Sequence, residues 1–156
     1  MTDHTYYMEK ALELARKAYR LGEVPVGAVV VRDGEIIGEG YNLREREGSA
    51  IAHAEVIAIE QACKRLGTWR LSGCTLYVTM EPCPMCAGAL VNSRIDRVVY
   101  GCKDAAAGCL GSVIDFNSYP FNHSFETVSS ICAKESLELL REFFESRREA
   151  KRNKIL

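Results

Sequence analysis

Residues 74–101, CTLYVTMEPCPMCAGALVNSRIDRVVYG, carry the reading on which the fold turns. The stretch CTLYVT, from Cys74 to Thr79, has the length and the β-rich apolar character of a central strand. PMCAGALVNS, residues 84–93, reads as a helix. Pro84 suits its first position, where a missing N–H costs nothing. RIDRVVYG, residues 94–101, returns to strand-like composition. Strand, helix and strand with short joints make a βαβ unit, so the two strands are expected to be parallel. Ligands of such sheets collect beyond the carboxyl ends of the strands, and MEPCPMC, residues 80–86, falls there.

Working upstream, VPVGAVVVRDGEIIGEGYN (residues 24–42) holds two β-rich runs around Asp33-Gly34. An Asp-Gly pair supplies positive φ at both turn positions, so the runs predict an antiparallel hairpin. From Tyr7 to Leu21, two interleaved series at helical spacing, Tyr7, Ala11, Leu14, Ala18, Leu21 and Met8, Leu12, Ala15, Tyr19, predict a first helix that ends at Gly22. His53 to Leu66 is apolar almost all round, which predicts a buried helix closed by Gly67. Downstream, Gly101 to Gly111 reads as a Gly- and Ala-rich loop. A short strand is expected near Phe125 to Val128, and a last helix from about Ile131, with Ala133, Leu137, Leu140 and Phe144 on its buried face. The sum is an α/β layer structure with a mixed sheet, an antiparallel hairpin at one side and helices on both faces. With no repeat, low-complexity tract or linker, residues 1–156 are read as a single domain.

Composition bounds the function. The 156 residues suffice for one domain with a real core, and 47% apolar with 26% charged residues is an ordinary globular balance. No apolar run approaches the about 20 residues that cross a bilayer, and MTDHTYYMEK lacks the basic start and apolar centre of a signal peptide. A soluble, cytoplasmic protein without membrane association is expected. Seven cysteines, an odd count, then point to metal binding or burial over disulfides. Cys63 and Cys74 lie in apolar surroundings and are read as packing residues; Cys102, Cys109 and Cys132 are left undecided. Net charge is −1, which excludes a uniformly basic nucleic-acid binder. Residues 147–156 nevertheless sum to +4 and the remainder to −5. A basic tail of this kind is either a solvated helix end or an element that contacts phosphates.

Cys83 and Cys86 can supply half of a tetrahedral metal site. With Cys83 at the cap and Cys86 one turn in, both sulfurs face the positive end of a helix dipole, which favours the thiolate form. A C-x-x-C pair also suits thioredoxin-like redox chemistry; proline on both sides of Cys83 weighs against that. Of three histidines, His4 lies in a terminus expected to fray and His123 in an irregular segment. His53 has Glu55 two residues on, at the start of a helix expected to be buried, and a buried carboxylate needs a reason. Residues two apart on a regular helix diverge, so His53 is placed at the helix cap, from which its ring and the Glu55 carboxylate can converge. Two cysteines and one histidine leave a fourth zinc position for water, the mark of an open, catalytic site. Zinc lowers the pKa of such a water from about 15.7 to roughly 7. Glu55, beside it and not ligating, can act as proton shuttle for the resulting zinc-bound hydroxide.

His53-Ala54-Glu55 followed by Pro82-Cys83-Pro84-Met85-Cys86 resembles the H-x-E…P-C-x-x-C signature of the zinc nucleobase deaminases. That signature covers the active site alone and suits cytosine, cytidine and guanine deaminases equally. LGEVPVGAVVV (21–31), YNLRE (41–45), AHAE (52–55), LGTWRLSGCTLYVTMEPCPMCAGALVNSRIDRVVYG (66–101) and GCLGS (108–112) together resemble the bacterial tRNA-specific adenosine deaminases. The resemblance runs from the first helix to the last. It implies a cytidine-deaminase-like three-layer α/β sandwich with a mixed five-stranded sheet. It implies a homodimer that carries one Zn2+ per chain and no organic cofactor. The reaction it implies converts adenosine to inosine at the wobble position of a tRNA anticodon stem-loop, with release of ammonia. His53, Cys83 and Cys86 match the family's zinc ligands and Glu55 its proton shuttle. Asn42 matches an asparagine that contacts the flipped nucleotide, although by itself it reads equally as a turn residue. Asn122 and the Phe143-Phe144 pair match positions near the RNA loop. With Phe144 assigned to the core, Phe143 is expected to be exposed for stacking. The resemblance departs at Met80, where leucine is common, and in DAAAGC (104–109), which lacks a lysine or proline frequent there.

Overall fold

A computed structural model describes residues 3–155. The βαβ unit is present as read: β3 (Cys74–Met80), α4 (Pro84–Asn92) and β4 (Arg97–Cys102), with β3 and β4 parallel and Leu76 paired to Val98. The hairpin is β1 (Gly27–Arg32) and β2 (Glu35–Tyr41). Asp33 and Gly34 hold φ of 50° and 76° at its turn. β1 runs antiparallel to β3, and the short β5 (Glu126–Val128) runs parallel to β4. The sheet is therefore mixed and five-stranded, in the order β2-β1-β3-β4-β5.

Strand alternation divides the core into two layers. Ala28, Val30, Leu76, Val78 and Val98 face α3 (Ala54–Leu66) and α4 through Ala54, Ala58, Ala62 and Leu90. Val29, Val31, Tyr77 and Val99 face the other way, onto Met8, Ala11 and Leu14 of α1 (Asp3–Arg20) and onto Ile131 and Cys132. The last helix, α5 (Ala133–Ile155), packs over β4 on the α1 side. Helices thus cover both faces, in the three layers expected. A short helix, α2 (Arg44–Glu47), was not legible in the sequence.

The hairpin approaches α3 closely because it carries glycine where the two meet. A Cβ on Gly38 would lie 2.3 Å from the Ala58 carbonyl oxygen, and one on Gly40 would lie 2.3 Å from that of Ala54. This close approach sets the height of the N-terminus of α3 above the sheet. The helix is less enclosed than its composition suggests: Glu60, Gln61, Lys64 and Arg65 are exposed, and Val56 and Ile57 are only half-buried.

Three expectations are corrected. The buried face of α5 runs through Ser136, Leu140 and Phe143, whereas Leu137 and Phe144 are exposed at 38% and 44%. The buried face is offset by about 60° from the one inferred, and Leu140 belongs to both. The reason lies outside the helix. Ser136 returns its hydroxyl to the Cys132 carbonyl and sits against Gly101, where a Cβ would meet its oxygen at 2.6 Å. Phe143 meets Tyr19 of α1 edge-on, ring centroids 6.0 Å apart. Phe143, expected to be exposed for stacking, is therefore a core residue. The N-terminus does not fray at His4, whose Nδ1 is 2.8 Å from the Tyr77 hydroxyl inside the first turn of α1. Among the described residues, no helix is long and apolar enough to cross a membrane.

Candidate metal centre and active site

Two helix N-termini meet beyond the carboxyl end of β3. Cys83 caps α4 with extended backbone, and Pro84 follows at the first helical position. His53 caps α3, also extended, at φ −84° and ψ 152°. Neither cap residue spends its side chain on its own helix. The His53 ring and the two cysteine side chains are free to converge, each at the positive end of a helix dipole.

They do converge. His53 Nδ1 lies 3.6 Å from Cys83 Sγ and 3.6 Å from Cys86 Sγ. Tetrahedral zinc with N at about 2.0–2.1 Å and S at about 2.3 Å requires an N···S separation of about 3.5–3.6 Å, so the three side chains fit that ion. Among the described residues this is the one cluster of metal-ligating side chains. His4 and His123, the other histidines, bond to the Tyr77 hydroxyl and the Ile95 carbonyl. Cys63 and Cys132 are half-buried; Cys74, Cys102 and Cys109 are buried. None of these five cysteines belongs to the cluster.

The protein alone leaves charge at this point unbalanced. Hydrogen bonds from Cys86 and then His53 pull the Cys83 thiol down to about 4. The neighbouring Cys83 sulfur pushes Cys86 up, and its burial adds to the shift. One thiolate forms readily and a second beside it is opposed; a divalent cation removes that opposition. The Cys83 hydrogen bond holds the His53 imidazole above its ordinary value. Glu55, 4% exposed, is pushed up to about 7, chiefly by burial.

Beside the cluster lies a cavity of about 140 Å³. Glu55, His53 and Cys83 line one side, and Val24, Val26, Asn42 and Arg44 the other. Met80, Glu81 and Asp104 complete the wall. Val24, Asn42 and Arg44 also line a second cavity of about 530 Å³. This one is lined further by Glu23, by Glu45 of α2 and by Phe143, Phe144, Arg147, Arg148, Lys151 and Lys154 of α5. The two cavities share Val24, Asn42 and Arg44, so the smaller adjoins a groove rich in basic side chains.

Asn42 combines a turn hydrogen bond with a place in the cavity wall. Its Oδ1 accepts from the Arg44 N–H at 3.2 Å, as a turn residue does, and it also lines both cavities. Asn122 is exposed and lines neither of them. In the groove, Phe144 takes the exposed place expected of Phe143.

Two buried carboxylates that hold the walls escaped the sequence reading. Glu81, 2% exposed, accepts the backbone N–H groups of Asp104, Leu110 and Ser112 and the Ser112 hydroxyl. It pins the 104–112 loop beside the cysteines, and those hydrogen bonds hold its carboxyl below the usual range despite burial. Glu23, 1% exposed, accepts from the N–H groups of Glu45 and Arg46 and so caps α2 from a distance. The available signal was an acidic residue between apolar neighbours, GEVPV for Glu23 and TMEPC for Glu81.

Residues 1–102 match the family model of the cytidine and deoxycytidylate deaminase zinc-binding region. The chain belongs to that family of zinc-dependent deaminases. Within it, the chain is 50% identical over 153 residues to the tRNA-specific adenosine deaminase of Bacillus subtilis, covering 97% of this chain and 95% of the relative. A solved structure described as a tRNA:A34 deaminase that performs A-to-I editing superposes with a TM-score of 0.84 at 43% identity. The match covers 86% of this chain and 99% of that one. A guanine deaminase structure from Bacillus subtilis gives a TM-score of 0.62 at 34% identity, over 78% of this chain and 88% of the other.

Replacing Cys83 or Cys86 by alanine should abolish stoichiometric zinc and lower Tm by about 5 °C or more, because the ligands are assembled only in the folded state. Metal analysis and thermal melts of the purified variants check this. Full zinc in both variants would remove the cysteines from the site.

Proposed function

We propose that the whole chain forms one deaminase domain that converts adenosine to inosine at the wobble position of a tRNA anticodon loop. The observation that carries this reading is the cavity beside the His53–Cys83–Cys86 cluster, which adjoins a groove lined by Arg44, Arg148, Lys151 and Lys154. End-to-end identity with a relative of that named activity supports the same substrate.

The chemistry follows from the groups in the cavity. His53, Cys83 and Cys86 would hold zinc, which when bound would supply an acidified water. Glu55, at the first turn of α3, lines the same cavity as His53 and Cys83. As a carboxylate it takes a proton from the water as oxygen attacks C6 of the adenine, and it returns the proton to ring N1. The new C6 hydroxyl would then give its proton, through Glu55, to the leaving amine; the C6–N bond breaks, ammonia leaves and the C6 carbonyl of inosine remains. In the protein alone burial raises the Glu55 carboxyl toward neutrality, which suits a group that accepts a proton and then donates it. Asn42 retains a free amide hydrogen and lone pair toward the cavity, suited to the edge of a base.

A stacked adenine is out of reach of such a cavity, so a loop with splayed bases is the cheap substrate. Phe144 offers an exposed aromatic face in the groove for a neighbouring base, and Arg148, Lys151 and Lys154 offer charge for phosphates. Asn122 is retained as an RNA contact from the resemblance; it lies outside the groove, where it would meet RNA beyond the target base.

Adenosine-bearing anticodon stem-loop, free adenosine, cytidine and guanine are the substrates to compare. Inosine should form in the stem-loop alone, and Glu55→Ala should keep zinc yet lose about 10²–10⁴-fold or more in turnover. Guanine or cytidine as the better substrate would overturn the assignment. Near-normal turnover by Glu55→Ala would remove Glu55 from the mechanism.

The protein is proposed to act as a homodimer in the cytoplasm. Trp69, 59% exposed, borders a shallow apolar depression lined by Val56, Ile59 and Cys63 of α3 and Ala89 of α4. Apolar surface of this kind favours association. Sedimentation equilibrium should return twice the 17.4 kDa of one chain, and Trp69→Ser should weaken the association. A monomer at micromolar concentration contradicts it.

A further inference from the structure

The basic end of α5 is tied to the end of α1 through one side chain, Arg147. The Arg147 guanidinium lies over the Phe143 ring, its Cζ 4.9 Å from the centroid. Its Nη2 donates to the carbonyl of Gly22. Gly22 ends α1 in the left-handed region, at φ 78°; its N–H bonds to the Tyr19 carbonyl, and the N–H of Glu23 bonds to that of Ala18. The Gly22 carbonyl thus sits at the electronegative end of α1, where a cation is favoured. Phe143 is in turn fixed edge-on against Tyr19. Stacking and donation together engage both the face and the edge of one planar cation.

The same turn holds the opposite wall. Glu23 caps α2, and the Val24 carbonyl accepts from Asn42 Nδ2 at 3.4 Å. Residues 22–24 therefore tie α5 on one side and residues 42–46 on the other, and these are the two sides of the groove. We propose that Arg147 is a positioning residue. It fixes the basic helix to the Gly22 turn and so sets the groove's width, while phosphate binding falls to Arg148, Lys151 and Lys154. The consequence for substrate rests on reading the groove as an RNA site; the anchoring of the helix does not.

The test uses zinc-loaded, full-length protein and three variants: Arg147→Lys, Arg147→Ala, and Lys151→Ala with Lys154→Ala. Amide hydrogen exchange over residues 140–150 is measured without RNA. Binding of an anticodon stem-loop is titrated at several salt concentrations, and single-turnover rates are taken at saturating RNA. Lysine keeps the charge but has no planar face to stack. Arg147→Lys should therefore behave as Arg147→Ala does: exchange faster by about tenfold, binding weaker by about tenfold, rate at saturation unchanged. The double lysine variant should exchange as wild type does, and its log–log salt slope should flatten by roughly 0.7–0.9 for each phosphate it no longer neutralises. Arg147→Lys matching wild type in exchange and binding would overturn the proposal. If the variant with Lys151→Ala and Lys154→Ala binds RNA with unchanged affinity and slope, the RNA reading of the groove fails, while the exchange data still decide whether Arg147 anchors the helix.

Discussion

One imidazole nitrogen must stand 3.6 Å from two sulfurs that belong to a different helix. Much of the architecture serves that constraint. α4 delivers both sulfurs because Cys83 caps it and Pro84 starts it directly off the end of β3. α3 delivers the nitrogen only if its first turn sits low over the hairpin. Glycine at 38 and 40 permits this, since any side chain there would strike the helix backbone. With both helix ends pointed at one place, positive dipole ends stabilise thiolates and a buried carboxylate can be kept beside them.

Around this centre the walls are held by carboxylates that do no chemistry. Glu81 anchors the loop on one side, and Glu23 caps the short helix on the other. Each is nearly fully buried, and each makes several charge-assisted hydrogen bonds to backbone N–H groups, so the cost of burial is offset locally. Glu55 differs in kind: burial dominates its environment and raises its carboxyl toward neutrality. Three buried acids within one region thus divide into two struts and one, Glu55, proposed as the proton carrier.

What the sequence made legible is what local chemistry determines. Asp33-Gly34 needs no distant partner to specify a tight turn. Cys83-Pro84 defines a helix start, and His53 with Glu55 two residues on points to an extended cap followed by a buried first turn. The rotation of α5 was not legible, because two stripes of that helix are nearly equal in apolar content. The choice between them is made by Gly101 and Tyr19, far away in the chain. For the same reason α2 escaped notice: its four residues gain their cap from Glu23, more than twenty positions upstream. His4 looked like a fraying residue until its partner, Tyr77, was brought beside it by the sheet.

The central claim is a three-ligand site with its fourth position open. Zinc K-edge X-ray absorption of the zinc-loaded protein measures it most directly. Two sulfurs at about 2.3 Å, one imidazole nitrogen at about 2.0–2.1 Å and one further light scatterer without imidazole multiple scattering are expected. A first shell of four protein ligands, with a third sulfur or a second imidazole in place of water, would contradict it.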